Sequence, residues 1–198
     1  MRKLTLRWAI YLRIAGFCGM ISPFLVFALV AVSIHYCPSF SWTQSYLSLL
    51  GVEGSSRTLF NASLIAGGVL DIAFAIGFGK SLPSRKLLGR LGTLCLILGA
   101  CAICAIGIFP RTIYAPHDYA SVAFFSFIPM SLFLIGAVQL TSSRRASGLF
   151  TFICGVLMVV LQLIPWPWSG EAIPQVLACI PWSVWLIAFG TKLFIAPK

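Results

Sequence analysis

The sequence predicts an all-α membrane protein, a single bundle of six transmembrane helices with both termini in the cytoplasm. This prediction depends on the composition, on six long apolar stretches and on the placement of the basic residues. Of the 198 residues, 60% are hydrophobic and only 9% are charged, whereas about a quarter of the residues in a soluble domain are charged. A surface so poor in charge indicates that lipid is the surrounding solvent.

Six apolar stretches reach, or nearly reach, the length of about 20 residues that a helix needs to cross the hydrocarbon core. In lipid the backbone must satisfy its own hydrogen bonds, so these stretches are predicted to be helices. The alternation that is typical of a membrane barrel is absent. No soluble domain or long linker is evident, so residues 1–198 are predicted to form one transmembrane domain. The expected spans are residues 14–34, 59–78, 88–109, 119–140, 148–164 and 176–195.

The first apolar stretch has two interpretations, an uncleaved anchor or a secretion signal. It is longer than the apolar core of a usual signal peptide, which favours the anchor. The outer connection that follows contains the sequence SWTQSYLSLLG. This segment is predicted to be a short interfacial helix, with Ser41 as its N-cap and Gly51 at its end.

The second stretch carries small residues that indicate its packing faces. Gly67 and Gly68 lie one turn before Asp71, and Ala73 and Gly77 form a small-xxx-small pair. Glycine in membrane helices usually marks the place where a neighbouring helix approaches closely. The second helix is therefore predicted to lie between close neighbours.

Asp71 lies inside this helix, where an ionised carboxylate costs about 2.5–3.5 kcal/mol on insertion scales. It is therefore expected to face the bundle interior in a protonated or hydrogen-bonded form. Ser22 of the first stretch and Ser131 of the fourth fall at a similar depth. A buried Ser22–Asp71–Ser131 network is predicted. Its role stays open between hydrogen bonds that join helices and a path for a proton or substrate.

The pair Cys101 and Cys104 has the CxxC spacing of dithiol oxidoreductases. Reactive pairs of this kind need a thiol activated at a helix N-terminus, whereas this pair lies inside the third stretch. Packing by small apolar side chains is favoured, and a redox role remains an alternative.

The basic residues predict the orientation of the bundle. Only Arg57 and Arg111 lie in the connections assigned to the outer side. By the positive-inside rule, both termini are expected in the cytoplasm of a plasma-membrane protein. The net charge of +10 is then explained by topology and by contacts with anionic lipid head groups, without nucleic acid. The basic residues assigned to the cytoplasmic side are Arg2, Lys3, Arg7, Arg13, Lys80, Arg85, Lys86, Arg90, Arg144, Arg145, Lys192 and Lys198.

The outer side collects most of the groups that are capable of chemistry. The polar residues assigned to it are His35, Ser48, Glu53, Arg57, Asn61, Arg111, His117, Asp118 and Glu171. Because they lie at helix ends and in connections, several are expected to converge. The predicted ligand-binding set is Glu53, Arg57, Asn61, Arg111, His117, Asp118 and Glu171.

Three roles are open for this group. The residues could be solvated or form interfacial ion pairs. They could bind a head group, with the planar fork of an arginine on a phosphate or carboxylate. They could be catalytic, with His117 as a general base oriented by a carboxylate such as Asp118, or with His35, His117 and a carboxylate on a metal. No spacing matches an established metal motif, so neither a metal nor another cofactor is predicted.

Three segments together resemble a known family: SWTQSYLSLLG, LFNASLIAGGVLDI and GIFPRTIYAPHDYASVAFF. The chain resembles the prokaryotic six-helix family called domain of unknown function 998, which is itself distantly similar to DRAM-like membrane proteins. The resemblance supports the six-helix architecture and implies no reaction. The matching positions are Leu47, Ser48, Leu50, Gly51, Phe60, Asn61, Gly107, Phe109, Pro110 and His117.

The residues favour a binding or modifying site for a lipid or another amphiphile at the outer face. Whether the protein is an enzyme stays open. The main alternative is a non-catalytic accessory or assembly subunit of a larger membrane complex. A transporter is a weaker alternative, because no inverted repeat or pair of broken helices is evident. A membrane thiol oxidoreductase is another. The expected partners are membrane lipids and possible membrane-protein subunits.

Overall fold

The computed structural model describes residues 2–82, 87–142 and 145–195, with side chains from Arg7 onward. Within these residues there are six helices long and apolar enough to cross a membrane, and no strand. The predicted all-helical architecture with six membrane-spanning helices is confirmed. The helices are α1 Arg2–His35, α2 Ser56–Ser81, α3 Leu87–Ile108, α4 Tyr114–Leu140, α5 Arg145–Leu163 and α6 Ala172–Ile195.

Several helices extend beyond the spans expected from hydropathy. The first begins at Arg2 instead of residue 14, because hydropathy marks only the part that lies in hydrocarbon and basic residues are good helix formers. The fourth begins at Tyr114 instead of residue 119. This earlier start places His117 and Asp118 inside the first two turns of α4.

The six helices form a closed antiparallel ring in sequence order. Each helix packs against its neighbours in the chain, and α6 returns to α1. At this closure Gly16 and Gly190 face each other: a Cβ on Gly190 would lie 2.7 Å from the carbonyl oxygen of Gly16. Only glycine allows two backbones to approach so closely.

The small residues of α2 occupy its two contact faces. Gly67 lies against Ser22 and Val26 of α1, and Gly77 lies against Ala15 of the same helix. Gly68 faces the other way, against Cys104 of α3. The second helix is thus held between α1 and α3 through its glycines.

The two ends of the ring differ in what they carry. We call the end with both termini the proximal end, and the end with the α1–α2, α3–α4 and α5–α6 connections the distal end. Arg57 and Arg111 lie at the distal end. Of the basic residues used to predict orientation, Arg85, Lys86, Arg144 and Lys198 lie outside the described residues.

Aromatic side chains fill the proximal half of the ring. Trp185 is fully buried at the centre. It stacks on Trp182 with ring centroids 5.4 Å apart, and it meets the edges of Phe74 and Phe78 at 5.7 and 5.2 Å. Phe189 completes the cluster at 4.9 Å from Trp185. Five large rings therefore occupy the space that a ring of six helices would otherwise enclose.

A polar network ties this aromatic cluster to the surrounding helices. The Trp185 indole N–H donates to Thr151 Oγ1 over 3.0 Å. The Thr151 hydroxyl lies 2.8 Å from Gln139 Oε1 and 2.8 Å from the carbonyl oxygen of Ser147. All three side chains are buried, and together they join α4, α5 and α6. Interhelical hydrogen bonds of this kind provide partners for polar groups that lie inside a membrane protein.

The distal connections are joined to each other through their backbones. Gly170 N–H donates to Thr43 carbonyl oxygen over 2.9 Å, and Ala172 N–H donates to Ser45 carbonyl oxygen over 3.0 Å. A Cβ on Gly170 would lie 2.5 Å from the carbonyl carbon of Gln44, which explains the glycine there. We call this pairing of residues 43–45 with residues 170–172 the distal clasp.

The predicted interfacial helix over SWTQSYLSLLG is wrong for most of its length. Only Leu47–Gly51 is helical, as a short 3₁₀ helix preceded by turns. The reason is the distal clasp, which uses the carbonyl groups of Thr43 and Ser45 that a helix would need for itself. Gly51 does end the helical segment, as predicted.

Candidate functional site

A cavity of about 400 Å³ opens at the distal end of the ring. It is bounded by the 3₁₀ helix, by the α3–α4 connection and by α2, α3, α4 and α6. The described parts of α1 and α5 contribute no residue to its lining. The polar lining residues are Tyr46, Ser48, Arg111, Tyr114, His117, Asp118, Ser121, Glu171 and Gln175, and the apolar ones include Phe60, Leu64, Ile103, Ile106, Phe124 and Phe125.

Arg111 lies on the wall formed by the 3₁₀ helix. Its guanidinium stacks over the Tyr46 ring, 4.0 Å from the centroid, and donates from one terminal nitrogen to Ser48 Oγ over 3.2 Å. No salt bridge joins Arg111 to a carboxylate among the residues that the structure describes. The stacking fixes the plane of the guanidinium and leaves its remaining N–H groups for the cavity.

His117 is buried in the first turn of α4 at the edge of the cavity. Its Nδ1 lies 2.8 Å from the carbonyl oxygen of Phe109. A carbonyl only accepts, so Nδ1 carries the proton in this hydrogen bond, and Nε2 is the acceptor of the neutral ring. The orienting group is thus a backbone carbonyl, and the predicted orientation of His117 by a carboxylate is wrong.

The site contains no serine activated by histidine among its described residues. Ser121 lies one turn after His117, and its hydroxyl donates to the backbone carbonyl of His117 over 2.9 Å. Ser48 accepts from Arg111. Neither bond involves the imidazole ring, so the geometry is that of a binding site more than that of a Ser–His dyad.

Two carboxylates and an amide, those of Asp118, Glu171 and Gln175, also line the cavity. Glu171 accepts from Gln175 Nε2 over 3.3 Å, and Gln175 Oε1 accepts from the backbone N–H of Leu47 over 3.2 Å. Gln175 therefore links the start of α6 to the 3₁₀ helix. Asp118 is half-buried and has no hydrogen bond or salt bridge with the described residues.

Asp118 does not cap α4, although it lies close to the start of the helix. The N-cap position of α4 is Ile113, which makes no side-chain capping bond. Because α4 begins five residues earlier than expected, Asp118 has moved past the first turn, where free backbone N–H groups are found. Its side chain faces the cavity instead.

The structure brings four of the predicted ligand-binding residues into this cavity, namely Arg111, His117, Asp118 and Glu171. The other three lie outside its lining. Asn61 donates to the carbonyl oxygen of Gly51 over 3.1 Å, which fixes the 3₁₀ helix on α2. Glu53 accepts hydrogen bonds from Ser39 and, over 3.7 Å, from the Cys37 thiol. Arg57 is exposed.

The arrangement of potential metal ligands is equally clear. His35 is exposed at the end of α1, where its ring meets Tyr36 at 5.3 Å. It does not line the cavity that contains His117. Among the described residues no group of three or more His, Cys, Asp and Glu side chains is placed to hold a metal ion.

The buried network around Asp71 differs from the prediction in one member. Asp71 is 4% exposed, and Ser22 of α1 and Trp182 of α6 are the polar side chains beside its carboxyl group. The Ser22 hydroxyl itself donates to the carbonyl oxygen of Gly67 over 3.2 Å. Ser131 instead donates to the carbonyl oxygen of Ile128 in its own helix over 2.9 Å. Depth counted along the sequence suggested Ser131, but α2 is in closer contact across the ring with α6 than with α4, and Trp182 of α6 is the side chain beside Asp71.

The cysteines behave as packing residues in this structure. All seven are free. Cys101 is exposed on the outside of the ring, whereas the Cys104 thiol donates to the carbonyl oxygen of Ile65 over 3.5 Å. The two thiols of the CxxC pair thus face different surroundings.

Sequence reasoning missed two cavity residues and the aromatic core. Tyr46 and Gln175 hold the arginine and the glutamate of the site. A signal for Gln175 was its position four residues after Glu171, the spacing that brings side chains together on a helix. Trp182 and Trp185 carried a signal too, because two tryptophans in the middle of an apolar span are far from the head-group boundary where tryptophan is enriched.

Comparison with known proteins identifies the family. No curated protein and no solved structure gives a significant match. A family model described as Protein of unknown function (DUF998) matches residues 20–192. The match includes every residue that lines the distal cavity, and it confirms the resemblance inferred from the sequence. The chain is therefore a member of the DUF998 family of integral membrane proteins.

Proposed function

We propose that the distal cavity binds a membrane amphiphile, with its polar head at the rim and its apolar part against the floor. The observation that carries this proposal is the division of the lining. Arg111, Asp118 and Glu171 lie among the polar residues, whereas Phe60, Phe124 and their neighbours are apolar. Ligand sites combine apolar walls with a few fixed polar groups in this way.

The size and chemistry of the cavity support a small amphiphile or the head region of a lipid. A volume of about 400 Å³ is within the range of small-molecule sites. The arginine is held in place by Tyr46 and Ser48 before a ligand arrives. Such preorganisation lowers the entropy lost on binding.

The proposal also includes the side of the membrane on which the cavity lies. We place the distal end outside the cytoplasm of the plasma membrane, because only Arg57 and Arg111 among the basic residues lie there. Single cysteines in place of Ser55 and Thr141, in a background without the seven native cysteines, should test this. An impermeant maleimide applied to intact cells should label position 55 and spare position 141. Labelling of position 141 alone would contradict the orientation.

A pair of tryptophan substitutions tests the cavity itself. Ser121 lines the cavity, whereas the next residue, Val122, is 65% exposed on the outside of the ring. Ser121→Trp should fill the space and displace a bound amphiphile, and Val122→Trp is the matched control. Native mass spectrometry of protein purified in mild detergent should show one retained lipid-sized adduct in the wild type and in Val122→Trp.

The outcome separates this proposal from its alternative. Loss of the adduct in Ser121→Trp alone would support binding in the cavity. If no variant or wild-type sample retains an amphiphile, and a second protein copurifies only when Ser121 is intact, the accessory-subunit function is correct instead. Retention of the adduct in both variants would show that the amphiphile binds elsewhere.

A further inference from the structure

The charges in the distal cavity are opposite in sign and yet do not pair. Arg111, Asp118 and Glu171 all line one cavity of about 400 Å³. No salt bridge joins them within the described part of the chain. Arg111 and Asp118 are half-buried, and Glu171 is exposed at the rim. Opposite charges that line one site in this way usually form ion pairs, because each lowers the cost of removing the other from water.

Their partners explain the separation. Arg111 is held against the 3₁₀ helix by the Tyr46 ring and by Ser48. Glu171 is held at the start of α6 by Gln175, and Gln175 is itself fixed by the backbone of Leu47. Arg111 and Glu171 therefore each have a neutral polar or aromatic partner in place of each other, and Asp118 has no partner among the described residues. A ligand that carries both charges would complete both sets of contacts.

The charges of the lining residues restrict which kind of head group the cavity can bind. With His117 counted as neutral, the lining carries one cation and two carboxylates. A purely anionic head group would meet the arginine but also a net negative field. A purely cationic one would leave the guanidinium without an anion. Both classes therefore leave part of the lining uncompensated.

We propose that the head group bound here is zwitterionic, with a phosphate on Arg111 and a primary ammonium on Asp118 and Glu171, as in phosphoethanolamine lipids. This inference rests on the proposed amphiphile-binding function and specifies its ligand. The guanidinium has five N–H donors in a planar fork, and the bond to Ser48 leaves the others for phosphate oxygens. A primary ammonium has three donors, enough to reach two carboxylates.

The test compares two lysophospholipids with the same acyl chain, lysophosphatidylethanolamine and lysophosphatidylglycerol, by titration in native mass spectrometry. They share the phosphate and differ only in the alcohol attached to it, which carries an ammonium in the ethanolamine lipid and two hydroxyl groups in the glycerol lipid. The wild type should bind the ethanolamine lipid about tenfold more tightly, equal to about 1.4 kcal/mol. The double variant Asp118→Asn, Glu171→Gln should lose this preference and bind both lipids alike. Arg111→Gln should weaken both by about tenfold.

Matched controls are available at the same end of the molecule. Arg57→Gln and Glu53→Gln remove the same charges from residues outside the cavity and should leave both affinities unchanged. Equal binding of the two lipids by the wild type would overturn the zwitterion inference and leave the amphiphile-binding function intact. If Ser121→Trp, which fills the cavity, weakens the binding of neither lipid, the proposed function is wrong as well.

Discussion

The proximal and distal halves of the ring differ in how the space at its centre is occupied. Six helices around one axis leave space in the middle, and in the proximal half Trp182, Trp185 and three phenylalanines fill it. In the distal half the space stays open as the cavity. The two halves differ in polarity, because the distal lining mixes charged groups with its rings, whereas the rings of the proximal half pack directly on one another.

The polar groups of the two halves differ in whether they bond one another. In the proximal half, Gln139, Thr151 and Trp185 satisfy one another. In the distal half, Asp118 has no partner in the described residues, and Arg111 has no carboxylate. Buried polar groups that satisfy each other hold helices together, whereas fixed groups without a counter-charge indicate a place for a ligand. The following predictions separate these two kinds of polarity.

The largest effect is expected at the proximal centre. Trp185→Ala removes a fully buried ring and its hydrogen bond to Thr151, so the free energy of unfolding should fall by about 3–5 kcal/mol. Equilibrium unfolding in mixed detergent micelles measures this loss. Trp42→Ala is the control, because Trp42 is 45% exposed on the distal connection. Equal losses in the two variants would show that Trp185 is not a packing centre.

The closure of the ring should be the next most sensitive point. In Gly190→Ala the new Cβ would lie 2.7 Å from the carbonyl oxygen of Gly16 and 2.8 Å from the backbone nitrogen of Met20. Backbone atoms move only with their helix, so we expect a loss of about 1–3 kcal/mol. Ala62→Leu, a larger change at an exposed position of α2, should be tolerated. Wild-type stability of Gly190→Ala would show that α1 and α6 separate easily.

The polar network should contribute a smaller share. Thr151→Val keeps the shape of the side chain and removes the hydroxyl that serves Gln139 and Trp185. Leaving these buried groups without a partner should cost about 1–3 kcal/mol in the same unfolding assay. Thr191→Val is matched, since the Thr191 hydroxyl bonds only the carbonyl oxygen of Ile187 in its own helix. The network would be unimportant for stability if both variants unfolded alike.

The smallest effect is expected at Asp71. Its Oδ1 has no hydrogen-bond partner in the described structure, and an asparagine has the same shape. Asp71→Asn should therefore change the free energy of unfolding by less than about 1 kcal/mol. It should also leave lipid binding in the distal cavity unchanged, because Asp71 does not line that cavity. A loss of several kcal/mol would mean that the carboxyl group makes contacts that an amide does not replace.

The fold was predictable from the sequence because the bilayer imposes a length and a polarity on every spanning helix. The site was predictable only in part. Arg111, His117, Asp118 and Glu171 share an end of the bundle because connections alternate between ends. Whether each side chain turns into the cavity depends on the register of its helix, which an early start of α4 changed.

The other incorrect predictions also concern side-chain partners that depth in the membrane does not determine. Asn61 and Glu53 were expected in the site, but Gly51 and Ser39 provide them with local partners. Trp182 replaced Ser131 beside Asp71. The depth of a residue along the membrane normal can be counted from a sequence. Which side chain it meets on the other side of the ring depends on which helices come into contact there. Those contacts are known only from the structure.

The distal clasp has a consequence for the synthesis of the protein. The connection that bears Thr43 and Ser45 follows the first helix, whereas its partners Gly170 and Ala172 precede the last. The nearby bond from Leu47 to Gln175 joins residues 128 positions apart. A chain made from its N-terminus must therefore insert five helices before any of these bonds can form. The cavity forms only when the sixth helix is in place. A truncated or stalled chain would therefore contain Arg111 but lack the wall that the start of α6 provides.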